Sequence, residues 1–336
     1  MKVKFSEGKM SKNNILIIGN GFDLYHGLRT GYKDFVDFSS GLIKADRGTE
    51  GKRWAVNNSF VKCFVKVLKE NQSWIDCENE IEIIVSIIKK LLYDKNVVDR
   101  NYIMRNENSL FYTYEFERLK LMSDGIIKKA NESNIEFNSL NFSKYQGIDK
   151  RRIMGRIEKE LDYLILLFQF YLKNNVINEP INKTSEQIKA LEANYVINFN
   201  YTHTYERYNI KKENVCFIHG SVLDNNMVLG IRDIDIKDID TIYFKKYFQR
   251  IKKHTDVIKW SKFDNQAYAH FFGHSLSSTD GDIIRDVYDR SEKIIVYYML
   301  NYRDYEQKVI NLIDSLGKDV VIEGMYSGKI DFVPIK

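Results

Sequence analysis

Four consecutive aliphatic residues, Ile15-Leu16-Ile17-Ile18, run without a break into Gly19-Asn20-Gly21-Phe22-Asp23 and then into a helical pattern from Leu24. An apolar run of strand length with no polar alternation suits a strand covered on both faces, as in parallel sheets. Gly19 and Gly21 permit a sharp turn and a close approach of backbone to another group. A helix that follows such a turn aims its first N–H groups at one spot, where a phosphate or pyrophosphate is the natural occupant. The pattern therefore predicts a nucleotide ligand on the turn formed by Gly19, Asn20, Gly21, Phe22 and Asp23. Leu24 stands where the dinucleotide fingerprint has its third glycine, so a plain strand-to-helix turn, with Asp23 favouring the helix dipole, is the alternative.

A chain of 336 residues can bury one large core or two modest ones. A net charge of +5 is too small to argue for a nucleic-acid partner. With only Pro180 and Pro334, helices and strands are expected to be uninterrupted, and 22 tyrosines with 20 phenylalanines supply a large aromatic core. Cys63, Cys77 and Cys216 include no closely spaced pair, so neither a disulfide framework nor a structural zinc is expected, and a reducing cytoplasm fits. Met1 to Asn14 is polar and basic, without the apolar stretch of a secretory signal. The densest apolar run, Leu164 to Leu172, is interrupted by Gln169 and too short to span a bilayer. A cytoplasmic protein with no membrane partner is expected.

From about Trp54 to Asn175 the pattern is helical. Val56, Phe60, Cys63, Phe64, Val67 and Leu68 share one face; Ile81, Ile84, Val85, Ile88, Leu91 and Leu92 share another; Met154, Ile157, Leu161 and Leu164 begin a third. Asn101–Asn108 and Asn131–Asn141 read as loops. Strand-like segments return at Tyr195–Phe199, Val215–His219, Met227–Ile231, Tyr268–Gly273, Lys293–Met299 and Asp319–Ile322, with helices at Asp280–Arg290 and Tyr302–Leu316. Asp224-Asn225-Asn226 reads as a hairpin turn. The fold class that follows is α/β, Rossmann-like: a mostly parallel sheet with helices on both faces and a large all-helical insertion. Residues 13–40 plus 190–336 would form the nucleotide-binding domain and 41–189 the insertion.

Ligands of such sheets sit beyond the carboxyl ends of the strands, where strand order reverses. The Gly19–Gly21 turn, Asn198 to Thr202, His219 and His274 all fall at or just after expected strand ends. Asn198, Asn200 and Thr202 could hold ribose hydroxyls or a water, or could serve only as turn formers. His219, followed by Gly220, is of the residue type that takes a proton from a sugar hydroxyl or water, with a satisfied, partly buried imidazole as the plain alternative. Gly273-His274-Ser275 repeats the theme, with helix capping by Ser275 or Ser277 as its plain reading. Trp74, Asp76 and Glu78 open a helix, where carboxylates suit the dipole, yet they could also reach over a cleft. The basic stretch Lys245–His254 reads as the solvated face of an amphipathic helix, with a nucleic-acid patch as the minor alternative.

Taken together these segments resemble the AbiH family of bacterial phage-abortive-infection proteins. The resemblance rests on Gly19-Asn20-Gly21-Phe22-Asp23-Leu24, His26-Gly27-Leu28 and Tyr32-Lys33-Asp34-Phe35. It continues through Trp74-Ile75-Asp76-Cys77-Glu78, Asn198-Phe199-Asn200-Tyr201-Thr202, Ile218-His219-Gly220 and Gly273-His274-Ser275-Leu276, in family order over most of the chain. It implies antiphage defence by abortive infection. A more distant similarity, in the order Gly-x-Gly, Asn-Tyr-x, His-Gly, is to sirtuin-like proteins, including antiphage effectors that hydrolyse NAD. That similarity implies NAD as substrate, with Gly19 and Gly21 cradling the pyrophosphate, Asn200 positioning ribose and water, and His219 as the catalytic histidine. Thr202 stands where those proteins place an aspartate, and Asp23 where they carry a serine. A carboxylate there repels a pyrophosphate unless it meets sugar hydroxyls or a cation. The zinc-binding cysteine module of the deacylases has no counterpart, so deacylation is not implied.

The expected site thus comprises Asn200 and His219 as catalytic residues, with Gly19, Asn20, Gly21, Phe22, Asp23, Asn198, Thr202, Gly273, His274 and Ser275 around the nucleotide. Two rivals remain: a metal-dependent nuclease using Asp23, Asp76, Glu78 and a histidine, and a non-catalytic nucleotide-binding sensor acting through a partner. A phage-derived trigger and a homo-oligomer are the partners left open.

Overall fold

In the computed structural model Ile15, Leu16, Ile17 and Ile18 are all buried, and they divide by parity. Ile15 and Ile17 enter one apolar cluster, Leu16 and Ile18 a second. Successive side chains of a strand point to opposite faces, so a strand apolar at every position requires a core on both sides. Each such side chain contributes roughly 1.5–3 kcal/mol by leaving water. The structure describes residues 13–45, 50–56, 58–67, 78–86, 150–181, 183–231, 239–263 and 266–336. Trp74 to Cys77, Leu68, Ile88, Leu91, Leu92 and the two asparagine-rich loops lie outside the described residues.

In chain order the first elements are β1 (Asn13–Ile18), α1 (Asn20–Tyr25), α2 (Tyr32–Lys44), α3 (Glu50–Val56) and α4 (Ser59–Val67). Then come α5 (Lys150–Asn175), α6 (Glu186–Lys189), β2 (Tyr195–Asn198), β3 (Val215–Phe217) and α7 (Lys246–Lys252). The chain ends with β4 (Ala267–Phe272), α8 (Gly281–Arg290), β5 (Lys293–Tyr298), α9 (Tyr302–Leu316), α10 (Lys318–Ser327) and β6 (Ile330–Pro334). Among the described residues no helix is long and apolar enough to cross a membrane.

The chain divides into two compact units, one of residues 1–27, 181–218 and 256–336, the other of 28–180 and 219–255. The first carries a six-stranded sheet in the order β3-β2-β1-β4-β5-β6, parallel throughout. This is the doubly wound order. Ile18 lies opposite Asn198 on one side and Phe272 on the other, so β1, β2 and β4 end level with one another. On one face Ile283, Ile284 and Val287 of α8, Leu312 and Leu316 of α9 and Val321 of α10 join Ile15 and Ile17. On the other, Phe22, Ile188, Tyr205 and Ile335 join Leu16 and Ile18. Helices cover both faces, as expected.

In the second unit Phe35 of α2 meets Phe168 and Tyr171 of α5, with ring centroids 5.0 and 6.0 Å away. Ile81, Ile84 and Val85, on a helical stretch at 78–86, and Met154, Ile157, Leu161 and Leu164 on α5 are buried as their spacing predicts. The face expected from Val56 onward is broken between α3 and α4. Asn58 caps α4 by accepting from Val61 N–H at 3.1 Å, and its amide donates to the Glu160 carbonyl at 2.6 Å.

Four expectations need correction. Met227–Ile231 is not a strand; Ile231 makes only an isolated bridge to Lys245, and with every sheet strand parallel Asp224–Asn226 closes no hairpin. Asp319–Ile322 is helical: its β-branched run looks like a strand, but Val321 turns into the core while Ile322 faces water, as helical spacing demands. The last strand is β6, at the sheet edge, where Pro334 leaves no ladder bond unmade. Lys245–His254 is not one solvated face. Lys245, Lys246 and Gln249 are buried, and Lys246 Nζ pairs with Glu78 at 2.7 Å, so Glu78 serves that ion pair.

Candidate functional site

Strand order reverses between β1 and β4, and the loops that leave their carboxyl ends lie against each other. Gly273, just past β4, has φ +64, and a Cβ there would stand 2.0 Å from Phe22 N. A Cβ on Gly19 would fall 2.7 Å from His274 Cα, and one on Gly21 2.9 Å from Gly273 Cα. All three glycines are needed because two backbones cross at contact distance. The amides follow from that crossing. Gly21 N–H donates to Gly273 O at 2.8 Å, Gly19 N–H to Phe272 O at 3.4 Å and Phe22 N–H to Gly19 O at 2.8 Å. These three donors are engaged within the protein, and α1 has only six residues. The turn is thus tighter than the open amide cradle its glycine spacing suggests.

The end of β2 closes on the same turn. Asn198 is fully buried; its Oδ1 accepts from Asn200 N–H at 2.8 Å and its Nδ2 donates to Thr202 O at 3.1 Å. That pair of bonds folds residues 198–202 into a fixed bend. Asn200 Nδ2 then donates to Gly19 O at 2.9 Å, and Thr202 Oγ1 donates to Asp23 Oδ2 at 2.5 Å. Asp23 is 1% exposed, and its second oxygen, Oδ1, has no hydrogen-bond partner. Burial raises the Asp23 carboxyl from 3.8 to about 6, partly offset by Thr202, Thr204 and Asn200. Such a group exchanges a proton close to neutral pH.

The loop after β4 is held from α9. Lys308 Nζ donates to His274 O at 3.0 Å, Asn311 Nδ2 to Ser275 O at 2.8 Å and Ser315 Oγ to Leu276 O at 2.8 Å. Three side chains at helical spacing thus satisfy three successive carbonyls. Burial lowers the Lys308 pKa, with Asp304 acting in the other direction. Within the loop His274 Nδ1 accepts from Leu276 N–H at 2.9 Å, which leaves Nε2 to carry the proton of the neutral ring. The Phe199 ring lies against His274, centroids 4.3 Å apart.

Behind α1, His26 Nδ1 lies 2.5 Å from Phe22 O, and its Nε2 lies 2.6 Å from the Tyr208 hydroxyl. A carbonyl can only accept, so Nδ1 carries the proton and Nε2 accepts from Tyr208, whose oxygen accepts from Ser185 N–H at 2.9 Å. Burial lowers the His26 pKa, which suits this neutral form.

Gly19, Gly21, Phe22, Asp23, Asn198, Asn200, Thr202, Gly273 and His274 therefore meet in the sheet-bearing unit at the ends of β1, β2 and β4. Asn20 is partly exposed, and Ser275 contributes its carbonyl to Asn311 and its hydroxyl oxygen to Ser277 N–H at 3.4 Å. His219 begins the second stretch of the helical unit, is 4% exposed, and accepts through its carbonyl from Val228 N–H at 2.8 Å. Asp76 and Trp74 lie outside the described residues. Among the described residues no group of three or more His, Cys, Asp or Glu side chains is placed to hold a metal ion. Thr204, Lys308, Asn311, Ser315 and Tyr208 were not anticipated. The spacing of the three α9 residues was readable; Tyr208 had no signal.

Comparison with curated proteins and with solved structures finds no match. The model of the bacteriophage abortive infection AbiH family matches residues 15–300, which takes in β1 from Ile15 onward, the turn at Gly19, the bend at Asn198–Thr202 and the β4 loop. The chain belongs to the AbiH family.

Proposed function

We propose that this AbiH protein acts in abortive infection by binding NAD or a related nucleotide at the carboxyl edge of its sheet and hydrolysing it. One observation carries the reading: a buried carboxyl near its titration point, Asp23, stands with Asn200 and Thr202 at the strand-order reversal of a Rossmann-ordered sheet. Open parallel sheets bind ligands at that place. Breaking the nicotinamide–ribose bond passes through an oxocarbenium-like state. The resemblance to sirtuin-like proteins implies Asn200 and His219 as the catalytic residues; within the sheet-bearing unit a carboxylate stabilises developing positive charge.

The engagement of the Gly19, Gly21 and Phe22 amides favours a second reading, in which the same edge binds a nucleotide without turning it over and signals to a partner. One experiment separates the two. Cellular NAD is followed after induction of the wild type, Asn200→Ala and His219→Ala, together with survival under phage challenge. Hydrolysis predicts that NAD falls in the wild type and holds in both variants. Wild-type toxicity at constant NAD removes the hydrolysis reading and leaves the sensor.

A further inference from the structure

We infer that the turn after β1 reads a sugar hydroxyl rather than a phosphate, with Asp23 Oδ1 accepting from a hydroxyl of a ribosyl group. The inference rests on the reading that this unit binds a nucleotide, and names the part of it that Asp23 holds. Two independent observations point this way. First, a phosphate site at a glycine turn works through free backbone N–H groups, and here those of Gly19, Gly21 and Phe22 are bonded to Phe272, Gly273 and Gly19 carbonyls. Second, the unsatisfied polar atom of the turn is an acceptor, Asp23 Oδ1, on a residue 1% exposed.

Buried polar atoms are almost always paired, and an orphaned one marks a place for a missing partner. The partner must be a donor. The carboxyl is about 6 in the folded chain, so above neutral pH it is ionised and accepts only. A phosphate would meet like charge at close range in a water-poor site. A ribose hydroxyl fits on both counts, since it donates to Oδ1 and brings no charge. Oδ2 is already fixed by Thr202, so the carboxylate plane is set before the ligand arrives. Asn198 and Asn200 hold the bend that carries Thr202. The glycines let the β1 and β4 loops cross at contact distance.

Calorimetric titration of the full chain near pH 7.5 tests this with NAD, adenosine, nicotinamide riboside, the 2′,3′-dideoxy counterparts of both ribosides, and inorganic pyrophosphate. At least one riboside is expected to bind, its dideoxy counterpart about tenfold or more weakly, and pyrophosphate not to displace NAD. Asp23→Asn, which keeps an oxygen acceptor but loses the charge, is expected to reduce the preference for ribo over dideoxy ligand. The comparison of sugars on the wild type needs no variant, so it stands even if Asp23→Asn fails to fold. Equal binding of ribo and dideoxy ligands, displacement of NAD by pyrophosphate, or no binding by any probe overturns the inference. Constant cellular NAD together with a clear ribo preference would overturn only the hydrolysis reading above.

Discussion

Thr202 Oγ1 donates to Asp23 Oδ2 at 2.5 Å across 179 residues of sequence, tying the end of β2 to the first turn of α1. Both groups are buried, and the acceptor carries charge near neutral pH. Hydrogen bonds to charged groups contribute about 1.5–3 kcal/mol. Thr202→Val keeps the side-chain volume and removes the donor. It is expected to lower stability by that amount and to move the Asp23 pKa further up, because Thr202 is the largest influence holding it down. Carbon-13 titration of the Asp23 carboxyl reads the shift; an unmoved midpoint contradicts the bond.

The same carboxyl sets a pH signature. Asp23 titrates at 3.8 when unperturbed and at about 6 in the fold, so the native chain holds a proton that the unfolded chain has released. Its contribution to stability is full below the lower value and is lost as pH rises through the upper one. His270 slopes the other way. Burial lowers it from 6.5 to about 4, so the unfolded chain takes a proton that the native ring refuses, and stability is lost as pH falls between those values. The neutral ring is suited to its neighbours, with Nε2–H toward Asn14 Oδ1 and Nδ1 toward the Tyr297 hydroxyl, each 3.2 Å away. In the wild type the two slopes oppose. Asp23→Asn removes the Asp23 slope and keeps those of the buried histidines, so from about pH 7 to about pH 4.5 the variant should lose about 2 kcal/mol relative to the wild type. Parallel unfolding curves for the two proteins across that range would refute the assignment.

Gly273 and Gly328 offer a matched comparison. Both have positive φ, +64 and +77, but a Cβ on Gly273 would collide with Phe22 N at 2.0 Å while one on Gly328 meets nothing within 4 Å. Gly328→Ala is expected to cost about 1–2 kcal/mol, the backbone penalty alone. Gly273→Ala adds a backbone clash and should cost on the order of 3 kcal/mol or more. Chemical denaturation of both variants measures the gap, and equal losses would show that the β1 and β4 loops are not in contact.

The three α9 side chains predict a local effect. Asn311→Ala and Ser315→Ala each leave a carbonyl of the β4 loop without its donor, at a cost of about 1 kcal/mol apiece. The loop itself should loosen. Faster hydrogen exchange at Leu276 N–H, which donates to His274 Nδ1, is the expected readout. Unchanged protection at Leu276 in both variants would place the anchor elsewhere.

Several features could be read directly from the chain. Ile15 to Ile18 specified a strand buried on both faces, because four adjacent apolar residues leave no solvent side to a period of two. Met154, Ile157, Leu161 and Leu164 specified a helical face by the same logic at a period of 3.6. The strand-end positions of Asn198 and His274 followed once the strands were placed. Val320-Val321-Ile322 misled, since β-branched residues favour strands only until helical packing outweighs the preference. Lys246 misled because a lysine gives no local sign of the carboxylate it will meet.

Local pattern thus settled where chain segments are extended or helical and which side of each seeks a core, since these depend on neighbours one to four residues away. The partners of Gly19, Gly21 and Asp23 were decided by contacts more than 170 residues distant, with Thr202 and Asn200 on β2's bend and Gly273 beyond β4. A glycine turn has one spacing whether its amides face a ligand or another backbone, and a carboxyl has one letter whether it titrates at 3.8 or at about 6. Which outcome holds depends on desolvation and on donors that only the folded sheet brings within reach.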